Sequence, residues 1–270
     1  MTAYTAPMKS EPAIDPDKPG RSPANRSLER GIELLRAFRP GTEWLGNAEL
    51  AERTSLSRST VSRLTQTLVG TGMLQIDPRS RAYRLAPGVL SLAHAMRSGS
   101  GELATAAPIM RQVAEANRIN VGLAAPDRDE MVYLESIRYN RRVALRNVVS
   151  GQRVPIETTS LGRAYLAIAP EAKRRALLAL FRRRRGWQWT ALAQEIQRAI
   201  AQVHAEGWCA AAWQPEVVAL ATPLRCSSMP LVLNLSVSTM EALERTARQL
   251  APTLLATARK IDEALARAAP

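Results

Sequence analysis

Cysteine and histidine are nearly missing from this chain, with two of each in 270 residues. Cys209 and Cys226 make no Cys-x-x-Cys pair, and His94 and His204 stand far apart. That leaves no disulfide framework, no four-ligand zinc site and too few groups for a nucleophile paired with a base. A glycine-rich phosphate loop is missing as well. The chain is therefore expected to be no enzyme and to carry no metal or cofactor. Aromatic residues make up only 4%, so the core has to come from Leu, Ala, Val and Ile, which a 46% hydrophobic content supplies. No apolar run approaches the roughly 20 residues that cross a bilayer. The N-terminus lacks the charged-then-apolar order of a secretory leader. A cytoplasmic protein with no membrane partner is expected. Acidic residues are also scarce, 24 against 37 Lys plus Arg, for a net charge of +13. Such a surplus suits nucleic acid, because binding releases the counterions condensed on phosphates.

Five prolines (Pro7, Pro12, Pro16, Pro19, Pro23) sit among small and charged residues in 1–25, which reads as a disordered tail. Order is expected to begin with Ser27 as an N-cap, followed by Leu28, Ile32, Leu35 and Phe38 at helical spacing. Pro40 and Gly41 stop that helix, and Asn47 is expected to cap a short second one carrying Leu50 and Ala51. After a tight turn at 54–56, Ser57 caps a third helix with Val61, Leu64 and Leu68 on one side. Met73–Ile76 and Arg81–Leu85 flank the turn Asp77–Ser80 and read as a hairpin. Three helices and a hairpin make a winged helix-turn-helix over 26–87. An apolar helix across 86–98 runs into Ser98-Gly99-Ser100-Gly101, so 88–101 is expected to be the linker.

The remainder, 102–268, changes character. A helix at 103–118 precedes strand-like runs at 121–125, 131–137 and 143–149, with Pro126–Asp127 as a turn. Gly151 and Pro155 break the chain before helices at 160–169, 171–181 and 190–206. Strands at 216–222 and 231–238 and a final amphipathic helix at 241–267 complete it. Helices on a mostly antiparallel sheet make the fold class α+β.

The third helix carries the clearest chemistry. With Val61, Leu64 and Leu68 inward at about 100° per residue, Ser59, Ser62, Arg63 and Gln66 project the other way. Arg58 and Thr60 stand near the first turn, where helix N-terminal amides also suit phosphate. Arg reads guanine, Gln reads adenine, and Ser or Thr bonds bases or phosphates. No carboxylate lies between Ser55 and Ile76 to repel a phosphate. Arg79, Arg81 and Arg84 form a basic wing suited to the sugar-phosphate backbone. Double-stranded DNA is the expected partner.

Five blocks, SLERGIELLRAF, ELAERTSLSRSTVSRLTQTLVGTGML, YRLAPGVLSLA, GQRVPIETTSLGRAYLA and LVLNLSVS, give the chain a family likeness. From about Ser27 to the last helix it resembles the IclR family of bacterial transcriptional regulators. The resemblance implies a winged helix, a linker helix and an effector domain similar to GAF/PAS sensors. It also implies dimers that frequently pair into tetramers, and small carboxylate ligands, often aromatic acids. Dimer symmetry implies a palindromic operator. Carried over by position, the resemblance places an effector pocket at Ser160, Leu161, Ala219, Ser236 and Ser238, with Leu145 on an earlier strand. Alternation along a strand puts Ser236 and Ser238 on one face, and Ser160 also suits a helix cap. The chain departs from the family between Gly207 and Ala219, where an acidic segment is replaced by the apolar stretch from Trp208 to Glu216, with Trp213 in it. A less polar ligand, a reshaped pocket and a C-terminal half that only assembles all remain open at this level. The run Arg182–Arg185 reads as a solvated helix face or a second contact surface.

Overall fold

The computed structural model describes residues 25–139, 149–214 and 216–268. Its chain divides into two compact units, one ending at His94 and the other beginning at Ala95.

In the first unit, α1 (Arg26–Arg36), α2 (Asn47–Thr54) and α3 (Arg58–Gly70) precede an antiparallel pair, β1 (Leu74–Ile76) and β2 (Tyr83–Leu85). α4 (Pro87–Ser98) follows and runs across the boundary, so that Arg97 belongs to the second unit. The three helices and the hairpin close on one small core of Leu34, Leu45, Leu50, Val61, Leu74 and Tyr83. Leu45 joins the hairpin by exchanging backbone hydrogen bonds with Tyr83 at 2.9 and 2.8 Å. Ser55, in the left-handed region at φ 55°, turns the chain sharply between α2 and α3.

In the second unit, α5 (Gly101–Asn117) leads into β3 (Asn120–Asp127), β4 (Glu130–Ile137) and the short β5 (Arg153–Pro155). Then come α6 (Ser160–Ile168), α7 (Glu171–Arg185) and α8 (Trp189–Glu206). β6 (Cys209–Gln214), β7 (Val217–Pro223), β8 (Val232–Ser238) and α9 (Leu243–Ala268) finish it. The strands form one antiparallel sheet in the order β5-β4-β3-β8-β7-β6. Strand alternation then sorts the side chains. Val121, Leu123, Leu220, Leu233 and Leu235 face a core shared with α5 and α9. Ala124, Tyr133, Cys209, Ala221 and Val232 face a second core shared with α6, α7 and α8. A sheet buried on both faces needs apolar residues at nearly every strand position, and that is how β7 reads, whereas β8 puts Asn234, Ser236 and Ser238 on its α6 side.

Several local expectations are corrected. α1 is capped by Asn25, whose side chain accepts from the Ser27 and Leu28 amides, so Ser27 lies inside the helix. Leu28 and Ile32 are exposed, and Leu34 is the α1 side chain in the core. Gly46 takes the N-cap position of α2, leaving Asn47 as its first residue. Thr159, not Ser160, caps α6 by accepting from the Gly162 amide at 3.2 Å. Pro126 and Asp127 belong to β3, and the turn falls two residues later, at Arg128 and Asp129, with Arg128 at φ 58°. Proline is tolerated there because pairing with β8 stops at Ala124, so no ladder bond is lost. β6 was not expected at all, and α7 runs on through the arginines to Arg185. The strand expected at 143–149 lies almost wholly outside the described residues.

Candidate functional site

Two constellations stand out, one in each unit. In the first, Ser57 organises the start of α3. Its Oγ accepts from the Thr60 amide at 3.3 Å and lies 2.9 Å from Thr60 Oγ1 and 3.1 Å from Ser59 Oγ. The buried stripe of α3 is Val61 and Thr65, with Leu64 and Leu68 half-buried. Thr65 is tolerated in the core because its hydroxyl donates to the Val61 and Ser62 carbonyls, at 2.9 and 3.1 Å. Arg58, Ser59, Arg63 and Gln66 are exposed, while Thr60 and Ser62 are half-buried beside them. α3 thus turns a face of two arginines, two serines, a threonine and a glutamine away from its core.

The wing tip is set by Asp77. Its carboxylate accepts from the Arg79 and Ser80 amides, both at 3.1 Å, and from the Ser80 hydroxyl at 2.6 Å. The Ser80 hydroxyl, then those two amides, hold the Asp77 carboxyl below its ordinary range. The one acid of the tip is therefore folded into its turn, while Arg79 and Arg81 stay exposed, Arg81 in the left-handed region at φ 55°. Arg84 is committed elsewhere: it stacks over Trp44 at 4.8 Å and donates to Gln75 Oε1 at 2.9 Å.

In the second unit, strand register assembles a row across four strands on the α6 side of the sheet. Ala211 pairs with Ala219, Ala219 with Ser236, and Ser236 with Asn120. Ser238, opposite Val217, stands in the next row outward. The row inward runs Cys209, Ala221, Asn234, Gly122. The start of α6 lies over this inner row, since Cys209 Sγ approaches the Ser160 carbonyl at 3.5 Å. Ser160 and Leu161 are buried there, Leu161 among the apolar side chains of that core. Gly162 lets α6 pack against the segment that follows β5, because a Cβ on it would lie 2.1 Å from the Ile156 Cα. At its Ala211 end the row meets a cavity of about 380 Å³ that is also lined by Thr158, Arg163, Glu195 and Gln202. Arg163 is buried, donating to Glu195 at 2.6 Å and to the Glu157 carbonyl at 3.1 Å.

Ser160, Leu161, Ala219, Ser236 and Ser238 are thus all on the α6 side, whereas Leu145 falls outside the described residues. The sequence reading passed over Asn120, Asn234, Gly122, Tyr133 and Ala211. Asn120 Oδ1 and Asn234 Oδ1 are buried with no hydrogen-bond partner. Burial pushes the Tyr133 hydroxyl up to about 12, against weaker pulls from Asn234 and the Arg138 charge, so it stays a donor at neutral pH. The period of two that joined Ser236 to Ser238 reaches Asn234 as well, and that was the available signal. Of the arginine run, Arg184 pairs with Asp129 at 2.5 Å and Arg185 with the buried Glu157 at 2.5 Å. These two tie α7 down, and Arg182 and Arg183 remain solvated. Among the described residues no group of three potential ligands could hold a metal, and no helix is long and apolar enough to cross a membrane.

Comparison with known proteins gives each unit a family match. The IclR helix-turn-helix family model matches residues 27–78, and that of the bacterial transcriptional regulator IclR C-terminal domain matches 100–263. The HTH-type transcriptional regulator TsaQ1/TsaQ2 of Comamonas testosteroni is 37% identical over 174 residues, 64% of this chain. That match spans 62% of the relative, a little under two thirds of its length. The Pca regulon regulatory protein of Pseudomonas putida is 28% identical, over 79% of this chain and 74% of its own. Among solved structures, an IclR family transcriptional regulator from Brucella abortus superposes with a TM-score of 0.80 at 31% identity, covering 94% of this chain and 97% of that one. An IclR homolog from Microbacterium hydrocarbonoxydans, complexed with 4-hydroxybenzoate, shares the fold with a TM-score of 0.67 at 23% identity, covering 90% of this chain and all of that one. With a helix-turn-helix matched by the first model and the C-terminal domain matched by the second, the chain belongs to the IclR family of bacterial transcriptional regulators.

Proposed function

We propose that this protein is a sequence-specific DNA-binding transcriptional regulator whose hold on a palindromic operator is modulated by a small organic acid. The observation that carries the DNA half is the α3 face. Arg58, Ser59, Arg63 and Gln66 stand exposed on a helix free of carboxylates, with the wing's only tip carboxylate tied into its own turn. Arg63, Gln66, Ser59 and Ser62 read base edges, and Arg58 and Thr60 hold phosphate at the helix start. Arg79 and Arg81 reach the backbone beside the groove. Self-association supplies the second half-site. The exposed Leu28 and Ile32 of α1 and Leu90 and Leu92 of α4 are apolar surface that a second copy covers.

The effector half rests on the row Ala211–Ala219–Ser236–Asn120, next to the row that the start of α6 covers. Two small residues leave room for a ring, and a serine and an asparagine supply hydrogen bonds. The free amides at the start of α6 and the Ser236 and Ser238 hydroxyls suit a carboxylate. The 4-hydroxybenzoate in the Microbacterium relative supports an aromatic acid. A thermal-shift titration of the full chain with 4-hydroxybenzoate and related acids tests it. Stabilisation of about 2.7 kcal/mol is expected at a hundredfold excess over Kd. Specific operator binding with no stabilisation by any acid would leave the C-terminal half with assembly alone.

A further inference from the structure

β4 carries an irregularity at the level of Tyr133. Leu123 pairs with Glu135 and Ala124 with Tyr133, so Leu134 is an extra residue with no partner on β3. A bulged residue leaves backbone polar groups without ladder partners. Here the Leu134 carbonyl accepts from Arg97 Nη1, and the other arm of that guanidinium, Nη2, donates to Glu135 Oε2 at 2.8 Å. Arg97 belongs to the last turn of α4, the helix that leads out of the DNA-binding unit. Glu135 is itself held from its other oxygen, by the Ser136 amide at 2.9 Å and the Ser150 hydroxyl at 3.3 Å.

The residues around the bulge face opposite ways. Tyr133 lies on the α6 side, against Gly122 and Asn234, while Leu134 packs into the core shared with α5 and α9. A shift of the Tyr133 ring would act on the peptide that joins it to Leu134, whose carbonyl Arg97 holds. We infer that Arg97 and the Leu134 bulge form a latch that reports occupancy of the α6-side row Ala211–Ala219–Ser236–Asn120, the trough of the proposed effector site, to the linker helix. The inference rests on reading that trough as the effector site. The trough and α4 are its two ends, and its two states are Arg97 held by the bulge and Arg97 released. Arg97 is a positioning residue and touches no ligand.

Amide hydrogen exchange in α4 of the full chain tests it, with Ser236→Leu as a permanent filling of the trough. Arg97→Ala is expected to speed exchange in the last turn of α4 roughly tenfold, the loss of a charge-assisted hydrogen bond. Ser236→Leu is expected to change α4 exchange in the native background and to leave it unchanged in Arg97→Ala. Arg97→Lys, which keeps one donor for the Leu134 carbonyl, is expected to retain part of the response. The latch is overturned if Ser236→Leu leaves α4 untouched, or if it acts equally with and without Arg97. Ala219→Val fills the same row should Ser236→Leu lose protection throughout the sheet. A native response to filling, with no thermal stabilisation by 4-hydroxybenzoate or its relatives, would remove the effector reading and leave the latch standing.

Discussion

Gly162 and Arg63 represent two kinds of sensitive residue, one intolerant of added atoms and one dependent on a single charge. A methyl group on Gly162 would meet the Ile156 backbone at 2.1 to 2.5 Å, and backbone cannot swing aside as a side-chain tip can. Gly162→Ala is expected to destabilise the second unit by about 1–3 kcal/mol, as overpacking does. Urea unfolding read by circular dichroism would show the midpoint fall. Arg63 is exposed and touches nothing that stabilises α3, so Arg63→Ala should fold as the native chain does. Its expected effect is a loss of about 1–3 kcal/mol in operator binding, with tolerance for other bases at the position it reads. Fluorescence anisotropy against an operator selected from random DNA measures both. Unchanged affinity would take Arg63 out of the groove.

At the scale of elements, helix and strand order was legible where a periodic stripe coincided with a turn signal. α3 followed from Ser57 and its apolar side, and β7 and β8 from their apolar runs. β6 was hidden because Cys-Ala-Ala-Ala carries no alternation and little β preference, and only its ladder with β7 makes it a strand. The helix caps were misplaced by single residues because Asn25, Thr159 and their neighbours are all capable cappers. Ser236 and Ser238 were nominated by family likeness, yet Asn120 was not, since its place in the row depends on which strand lies beside β8. Element packing also fixes an acid limb. Glu102, at the start of α5, accepts from the Ser228 hydroxyl at 2.6 Å, the Ser227 hydroxyl at 3.2 Å and the Ser228 amide at 3.3 Å. The Ser228 hydroxyl, most of all, lowers its pKa below the ordinary 4.5, outweighing its partial burial. A depressed carboxyl gives stability that is complete above its unfolded value and fades as pH falls through the folded one. Glu102→Gln is expected to flatten the fall in stability below about pH 4.5, with little change at neutral pH beyond the loss of the anchoring charge. Thermal melts across pH 3–7 check this.

Across the whole molecule, the +13 charge and the two-unit design are expected to set how DNA is held. Affinity is expected to fall steeply with salt, and Arg79→Ala should lower the slope of log K against log salt by about 1 while weakening all sequences alike. The Arg63 and Arg79 variants thus separate reading from holding. Hydroxyl-radical footprinting is expected to protect two symmetric half-sites about one or two helical turns apart. A single isolated half-site would exclude a dimer with two-fold symmetry on DNA.

The row Ala211–Ala219–Ser236–Asn120 has a consequence for how such a protein changes its allegiance. Each of its four positions belongs to a different strand, and none carries a capping, turning or ion-pairing duty. Side-chain volume can be altered at one point of the trough while every ladder hydrogen bond stays in place. Alanine to valine at 211 or 219 shortens it from one side, and serine to alanine at 236 removes a hydroxyl from its middle. On the proposed reading of this face as the effector site, new ligand preferences are accessible by single steps that leave α3 untouched, which makes it the place to retarget the protein.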